Sequence, residues 1–378
     1  MKEIKRVLIS GGGTGGHINP ALAIADEIMK RYPKAEINFV GAKGRMEMEK
    51  VPKAGYNIEG LWISGLERKL MSTKNLSFPL KLITSLFEAG RLLRKYKPEV
   101  VIGVGGFASG PLLYRAALKG IPTLIQEQNS FPGITNRILA GSVNKVCAGF
   151  PGLERWFPQS KIVETGNPLR SSVLELLDGA NSDTSSAKKH FNLDPEKPVV
   201  FVMGGSLGAL SLNQAVKTII EQNLNTLPYQ FLWQCGQRFL AENKSWLNTL
   251  GQKHTEVAKN VRCVGFIDRI DLAYSSAEII ASRAGAMSIS ELALVAKPTI
   301  LIPSPHVTED HQTKNALSLV DREAAVLVKD KNVVETLGGE INRILADTSL
   351  CDKMSVRLRE VAQPGANKVI VNHVEELL

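Results

Sequence analysis

Four cysteines in 378 residues, Cys147, Cys235, Cys263 and Cys351, include no C-x-x-C pair. The spacing suits neither a disulfide framework nor the common zinc patterns, and reduced thiols in a cytosolic protein are the better reading. Aromatic residues are only 6% of the chain, and no RNA-binding or helix-turn-helix signature accompanies the net charge of +9. No nucleic acid partner is therefore expected. The basic surface points instead to phosphorylated ligands or an acidic membrane. No run of about 20 apolar residues is present to span a bilayer, so any membrane contact is expected to be peripheral. The start, MKEIKRVLISGGGTGG, carries too short an apolar run for a signal peptide. G-x-x-x-x-G-K-[ST] is missing, which argues against a P-loop nucleotidase. H-E-x-x-H and D-x-D are missing too, which disfavours a metal site.

What is present is ordinary globular material. Hydrophobic residues are 44% and charged residues 22%, enough for two cores, and the length suits two domains. Arg6–Ser10 reads as a strand running into glycines, Pro20–Arg31 as a helix and Glu36–Val40 as a strand. Leu76–Tyr96 reads as a helix, and Glu99–Val104 and Pro122–Gln126 as strands. The rhythm restarts with strands at Pro198–Met203, Phe231–Gln234, Val261–Val264, Glu278–Ala281 and Pro298–Ile302, and a helix at Ser288–Val295. The expected fold class is α/β, two doubly wound Rossmann-like domains. The junction is expected near Gly166–Pro168, giving domains 1–167 and 168–350. A helical segment, 351–378, broken at Pro364 and Gly365, is a candidate to pack back on the first domain. Asp178–Lys188, polar and serine-rich, reads as a surface loop.

Three glycine turns follow strands. Gly11, Gly13 and Gly16 match G-x-G-x-x-G, Gly103–Gly110 reads GVGGFASG, and Gly204–Gly208 reads GGSLG. Such turns let backbone approach a phosphate at a helix N-terminus. A dinucleotide site demands more, an acidic residue closing the second strand. Here Gly41-Ala42-Lys43 follows, so the first turn indicates phosphate rather than NAD. Two phosphorylated ligands facing each other across an interdomain cleft are expected.

Several residues could carry chemistry. His17, at the start of a helix beside the first turn, has the type for a general base, and a local hydrogen bond is its structural alternative. Gln126-Glu127-Gln128-Asn129 is either a sugar-orienting and base cluster or a capping turn. Ser282–Leu292 offers helix N–H groups to a diphosphate and Glu291 to ribose hydroxyls. Gln312, in Pro303–Asn315, is a candidate sugar contact. Leu61–Lys97 interleaves Leu61, Trp62, Ile63, Leu66, Leu70, Phe78, Leu80, Leu82, Ile83 and Leu86 with Arg68, Lys69, Lys74, Lys81, Arg91, Arg94, Lys95 and Lys97. That pattern suits docking on anionic lipid or an ordinary amphipathic helix packed on a sheet.

Seven segments together resemble the MurG family of UDP-N-acetylglucosamine transferases: Gly11–Ala25, Gly103–Pro111, Glu127–Arg137, Gly166–Arg170, Gly204–Ala209, Ser282–Leu292 and His306–Ala316. They occur in the family's order across almost the whole chain. The resemblance implies a GT-B fold with the acceptor in the N-terminal domain and UDP-GlcNAc in the C-terminal one. The implied reaction transfers GlcNAc with inversion to the muramyl 4-hydroxyl of undecaprenyl-linked lipid I, giving lipid II for peptidoglycan. It implies no cofactor and no obligatory metal. It further implies a peripheral place on the anionic cytoplasmic face of the cell membrane, with cell-wall synthesis and division proteins as partners. Carried over by position, Thr14, Gly15, Gly16 and Asn129 would contact the donor sugar, and Arg170 and Ser206 the diphosphate region. Ile267 would read uracil through its backbone. Ala286, Met287 and Ser288 would face phosphate, Glu291 the ribose and Gln312 the sugar hydroxyls. His17 and Glu127 are both base candidates. Gln126, where some relatives carry His, argues against a base at that position. Another GT-B activity, such as a nucleotide-sugar epimerase, or a non-catalytic nucleotide-binding module, is the alternative.

Overall fold

The computed structural model describes residues 3–65, 76–177, 183–307 and 310–378. The chain divides into two compact units, Met1–Ser171 with Gln363–Leu378, and Ser172–Ala362.

The first unit is built on β1 (Arg6–Ser10), α1 (Gly15–Arg31), β2 (Glu36–Ala42), α2 (Glu47–Lys53), β3 (Asn57–Leu61), α3 (Phe78–Tyr96), β4 (Val100–Gly103), α4 (Ser109–Leu118), β5 (Thr123–Glu127), α5 (Ile134–Leu139), β6 (Lys145–Ala148) and β7 (Ile162–Glu164). Its seven strands lie in the order β3-β2-β1-β4-β5-β6-β7, all parallel. β4 and β5 are buried along their whole length, as a strand covered by helices on both faces must be. The register pairs Val7 with Val100 and Ser10 with Gly103. The strand order reverses between β1 and β4, so a crevice opens beyond their carboxyl ends, and both glycine turns of this unit lie there.

The second unit repeats the plan. Its main elements are β8 (Val199–Met203), α6 (Leu210–Gln222), β9 (Gln230–Gln234), β10 (Val261–Val264), α7 (Ile270–Ser276), β11 (Ile279–Ser282), α8 (Ala286–Val295), β12 (Thr299–Leu301), α9 (His311–Val320), β13 (Val326–Leu327), α10 (Val333–Ala346) and α11 (Thr348–Val361). The parallel order is β10-β9-β8-β11-β12-β13. The reversal falls between β8 and β11, where Gly204–Gly208 and Ser282–Gly285 lie. Trp233, Phe231 and Tyr229 fill the core with Val216, Ile219 and Leu337.

The last helix, α12 (Ala366–Glu376), belongs to the first unit and packs on α1. The expected segment 351–378 is thus two helices, and α11 stays with the second unit. Asn367 ties the return in place: its Oδ1 accepts the Leu169 N–H at 2.8 Å and its Nδ2 donates to Leu169 O at 2.9 Å.

Two further sequence expectations change. The first helix begins at Gly15, five residues before the expected Pro20, and runs through that proline. The carbonyl four residues back belongs to Gly16, which is exposed, so water can satisfy what the proline does not. The loop expected at Asp178–Lys188 is helical from Thr184 to His190, because the Asp183 side chain caps it by accepting the Ser185 and Ser186 N–H groups. Residues 178–182 lie outside the described residues, as do Leu66, Arg68, Lys69, Leu70 and Lys74 of the apolar-basic segment.

Candidate active site

The first turn is shaped by what its glycines make room for. A Cβ on Gly11 would overlap Val104 of the second turn. One on Gly12 would overlap the carboxyl of Glu47. Gly13 sits at φ +88°, in the left-handed region that favours glycine. Thr14 is then extended, and its carbonyl accepts the His17 and Ile18 N–H groups at 3.1 Å each, starting α1. The helix start has neither a side-chain cap nor an acidic residue in its first turn. Its leading N–H groups and positive dipole end therefore suit an anion. Thr14 and Gly16 are exposed, and Gly15 is partly buried.

Glu47 is the residue the sequence reading passed over. It opens α2, is 1% exposed, and accepts the Gly13 N–H at 2.8 Å and the Ala42 N–H at 3.0 Å. A Cβ on Gly41 would strike its Cγ. The absence of an acidic residue directly after β2 thus has a structural counterpart. The carboxylate arrives five residues later and binds the glycine turn itself. Each such charge-assisted bond contributes about 1.5–3 kcal/mol.

The second turn closes over the first. Gly105 and Gly106, at φ +96° and +89°, pack against the His17 ring and the Gly12 backbone, and a Cβ on either would strike them. The Ser109 hydroxyl lies 2.9 Å from Ser10 O and 2.8 Å from Gly105 O, pinning the turn to β1. Partly buried His17 places Nδ1 3.0 Å from Gly12 O. A carbonyl only accepts, so Nδ1 carries the proton in this contact and Nε2 is the basic ring nitrogen.

Glu127, at the end of β5, is 1% exposed. Its Oε1 accepts the Asn129 N–H at 2.9 Å and Asn129 Nδ2 at 3.2 Å, and its Oε2 accepts the Gly133 N–H at 3.0 Å and Asn136 Nδ2 at 2.8 Å. Four donors on two oxygens make this carboxylate the organiser of the turn into α5, and they set the position of Asn129. Gln126 is fully buried and donates to Asn167 Oδ1 at 2.9 Å, while Asn167 donates to Gln128 O at 3.0 Å. Arg170, partly buried, closes this segment, one residue short of the end of the first unit's main stretch.

In the second unit, Gly208 and Gly236 touch backbone to backbone, both at positive φ, so no side chain fits at either. Gln234 Nε2 donates to Gly205 O and Gly265 O, both at 3.0 Å, fixing the turn that exposes Ser206. α8 starts two residues earlier than expected, at Ala286, again without a side-chain cap. Ala286 and Met287 are buried and Ser288 partly so, which leaves backbone as the chemistry of this helix start. Glu291, 2% exposed, accepts the Tyr274 hydroxyl on Oε2 at 2.8 Å. Ile267 is 7% exposed. Gln312 sits in the first turn of α9, where its Oε1 accepts the Ser304 N–H at 2.8 Å. Arg283, within the Ser282–Leu292 motif, is taken up by Asp330, by Ser211 Oγ and by the carbonyls of Ile302 and Pro303.

The first unit therefore gathers Thr14, Gly15, Gly16, His17, Glu127 and Asn129 on the edge formed by β1, β4 and β5. The second gathers Ser206, Ala286, Met287, Ser288 and Glu291 at the β8/β11 reversal. Tyr274 and Glu47 are partners that motif reading alone could not supply, since each lies on a neighbouring element outside the motifs.

Residues 7–148 match the glycosyltransferase family 28 N-terminal domain and residues 199–366 its C-terminal domain. A UDP-N-acetylglucosamine--N-acetylmuramyl-(pentapeptide) pyrophosphoryl-undecaprenol N-acetylglucosamine transferase of Cytophaga hutchinsonii is 48% identical over 99% of this chain and 97% of its own. One of the same name from Christiangramia forsetii is 45% identical over 100% and 99%. The crystal structure of Acinetobacter baumannii MurG superposes with a TM-score of 0.73 at 28% identity, over 98% of this chain and 99% of that one. With both domains matched in order, the chain belongs to glycosyltransferase family 28.

Proposed function

We infer that this enzyme transfers N-acetylglucosamine from UDP-GlcNAc to the muramyl 4-hydroxyl of undecaprenyl-linked lipid I, giving lipid II. The observation that carries the reading is the pairing of two uncapped helix starts with glycine turns, one in each unit, with His17 beside the first. The full-length identity to enzymes of that name supplies the substrates.

Inversion needs in-line attack of the hydroxyl on the anomeric carbon while UDP departs. The second unit would hold the donor. The N–H groups at the start of α8 and the Gly204–Gly208 turn would meet the diphosphate, with Arg170 and Ser206 adding donors as charge builds on the leaving group. Glu291, one oxygen fixed by Tyr274, would accept a ribose hydroxyl. Ile267 would meet uracil through its backbone, and Gln312 the sugar. Thr14, Gly15, Gly16 and Asn129 would contact the transferred sugar from the first unit.

For the base we favour His17 over Glu127. What supports this is the tautomer: the Gly12 O contact at Nδ1 defines Nε2 as the basic atom of His17, while Glu127 organises the turn into α5 through four N–H donors. His17 at Nε2 would take the hydroxyl proton as the new glycosidic bond forms and the bond to UDP breaks.

The lipid acceptor fits a face of α3. Leu80, Ile83 and Phe87, spaced three and four residues apart, are 59%, 54% and 74% exposed, with Arg91 and Arg94 exposed further along. Basic residues beside exposed apolar ones would seat this unit on an anionic leaflet on the cytoplasmic side. Among the described residues no helix is long and apolar enough to cross a membrane. Purified protein, UDP-GlcNAc and a short-chain lipid I analogue test the assignment: UDP release with that acceptor is expected, and none would overturn it.

A further inference from the structure

The Glu47 and His17 contacts meet on one peptide group. Gly13 N–H, which donates to Glu47 Oε2 at 2.8 Å, and Gly12 C=O, which faces His17 Nδ1 at 3.0 Å, are the two ends of the amide joining Gly12 to Gly13. We propose that Glu47 is a positioning residue for His17, acting on the imidazole through this single amide.

Hydrogen bonds in series polarise one another, so a carboxylate on the N–H end makes the C=O end a stronger acceptor. A stronger acceptor at Nδ1 fixes the tautomer with its proton there and raises the basicity of Nε2. When Nε2 takes a proton, the imidazolium charge faces a buried negative charge one peptide away. No proton travels along the amide; Nε2 gains one from the substrate hydroxyl and Nδ1 keeps its own.

The packing is committed to this arrangement. Side chains are excluded at Gly12 and Gly41 by Glu47, at Gly106 by the Gly12 carbonyl and at Gly105 by the His17 ring. Three charges on the flanking elements, Lys43, Glu127 and Asp26, are engaged elsewhere. The turn after β4, Gly103–Ser109, carries no ionisable side chain. Lys43, beyond β2, pairs with Glu88 at 2.7 Å, Glu127 of β5 holds its own four donors, and Asp26 of α1 accepts the Tyr56 hydroxyl at 2.7 Å. The Gly13 and Ala42 N–H groups that Glu47 accepts are both neutral donors, so its charge acts on the amide.

This inference rests on His17 as base, and the test separates the two. The full chain is labelled with 15N-histidine, His17 is assigned among six histidines by comparison with His17→Asn, and its ring nitrogens are titrated. In the unaltered protein Nδ1 is expected to carry the proton of the neutral ring. In Glu47→Gln, which keeps shape but not charge, the His17 midpoint is expected to fall by about one pH unit, the effect of a unit charge at such range in partly solvated surroundings. The acid limb of kcat/KM should move with it, kcat should fall about tenfold, and KM for UDP-GlcNAc should stay within twofold. Glu47→Asp should titrate near the unaltered protein. A neutral ring protonated at Nε2 in the unaltered protein overturns the proposal without any variant, even if Glu47→Gln fails to fold. So does an unshifted midpoint in folded Glu47→Gln, which would make Glu47 a strut only. Full transfer by His17→Ala would instead remove the base reading and leave the measured coupling standing.

Discussion

His17 and Glu127 are two residues of similar promise with different surroundings, and their variants should differ in kind. His17→Ala is expected to lower kcat by about 10²–10⁴ and to abolish the acid limb of the pH profile. Glu127→Gln exchanges one acceptor oxygen for a donor facing N–H groups, at a cost of about 1–3 kcal/mol in stability. It should keep the acid limb while raising KM, because Asn129 loses its anchor. Thermal melting and a pH series of initial rates distinguish the outcomes; an acid limb lost in Glu127→Gln would reverse the assignment. At this scale the sequence was informative wherever a glycine had to stay bare. It was silent on why: Gly12 and Gly41 are bare for Glu47, a residue on another element. Spacing reports neighbours along the chain, whereas the partner of a turn N–H can come from any element the fold delivers.

At the scale of the element, long apolar runs such as β1 and β8 were readable because burial on both faces leaves an uninterrupted signature. β3, β6, β7 and β13 were not, being short, edge-placed or only partly buried. Elements also hold buried charge. Lys297, between α8 and β12, donates to Ser275 O at 2.9 Å and to Ala277 O at the end of α7. Burial pushes its ammonium down to about 8 from 10.5, against the pull of Glu278 and with a smaller push from Lys188. Below that value both folded and unfolded chains keep the proton. Between about 8 and 10.5 the folded chain sheds it first, so the unfolded chain binds more protons and stability rises with pH. Lys297→Met lacks this gain. Urea denaturation at pH 7.5 and 9.5 should show the unaltered protein improving relative to the variant by on the order of 1–2 kcal/mol. A constant difference would mean that the lysine titrates in the folded chain as it does in the unfolded one. Arg283 makes a second such case. With Asp330 only 18% exposed at the side chain, Arg283→Met should cost about 3 kcal/mol by stranding that carboxylate.

The whole molecule is a chain that leaves its first unit and comes back. Family membership and the doubly wound plan of each unit were legible because the glycine turns sit at the strand-order reversals, where parallel sheets bind ligands. The return of α12 was only a possibility in the sequence, since amphipathic spacing states that a face is buried without saying against what. In the structure Ile370, Val371 and Val374 are fully buried with Ile24 and Ile28 of α1, and Arg31 pairs with Glu375 at 2.9 Å. Three aliphatic side chains at about 1.5–3 kcal/mol each amount to roughly 5–9 kcal/mol, comparable with the whole stability of a domain. A chain ending at Ala362 should therefore lose the first unit while keeping the second, which is complete between Ser172 and Ala362. Calorimetry should show one transition lost, and UDP binding should persist if the second unit is the donor's. Transfer should vanish, because α1 carries His17 on the helix that α12 supports. Retention of transfer by the truncated chain would show that α12 is dispensable for the fold of the first unit.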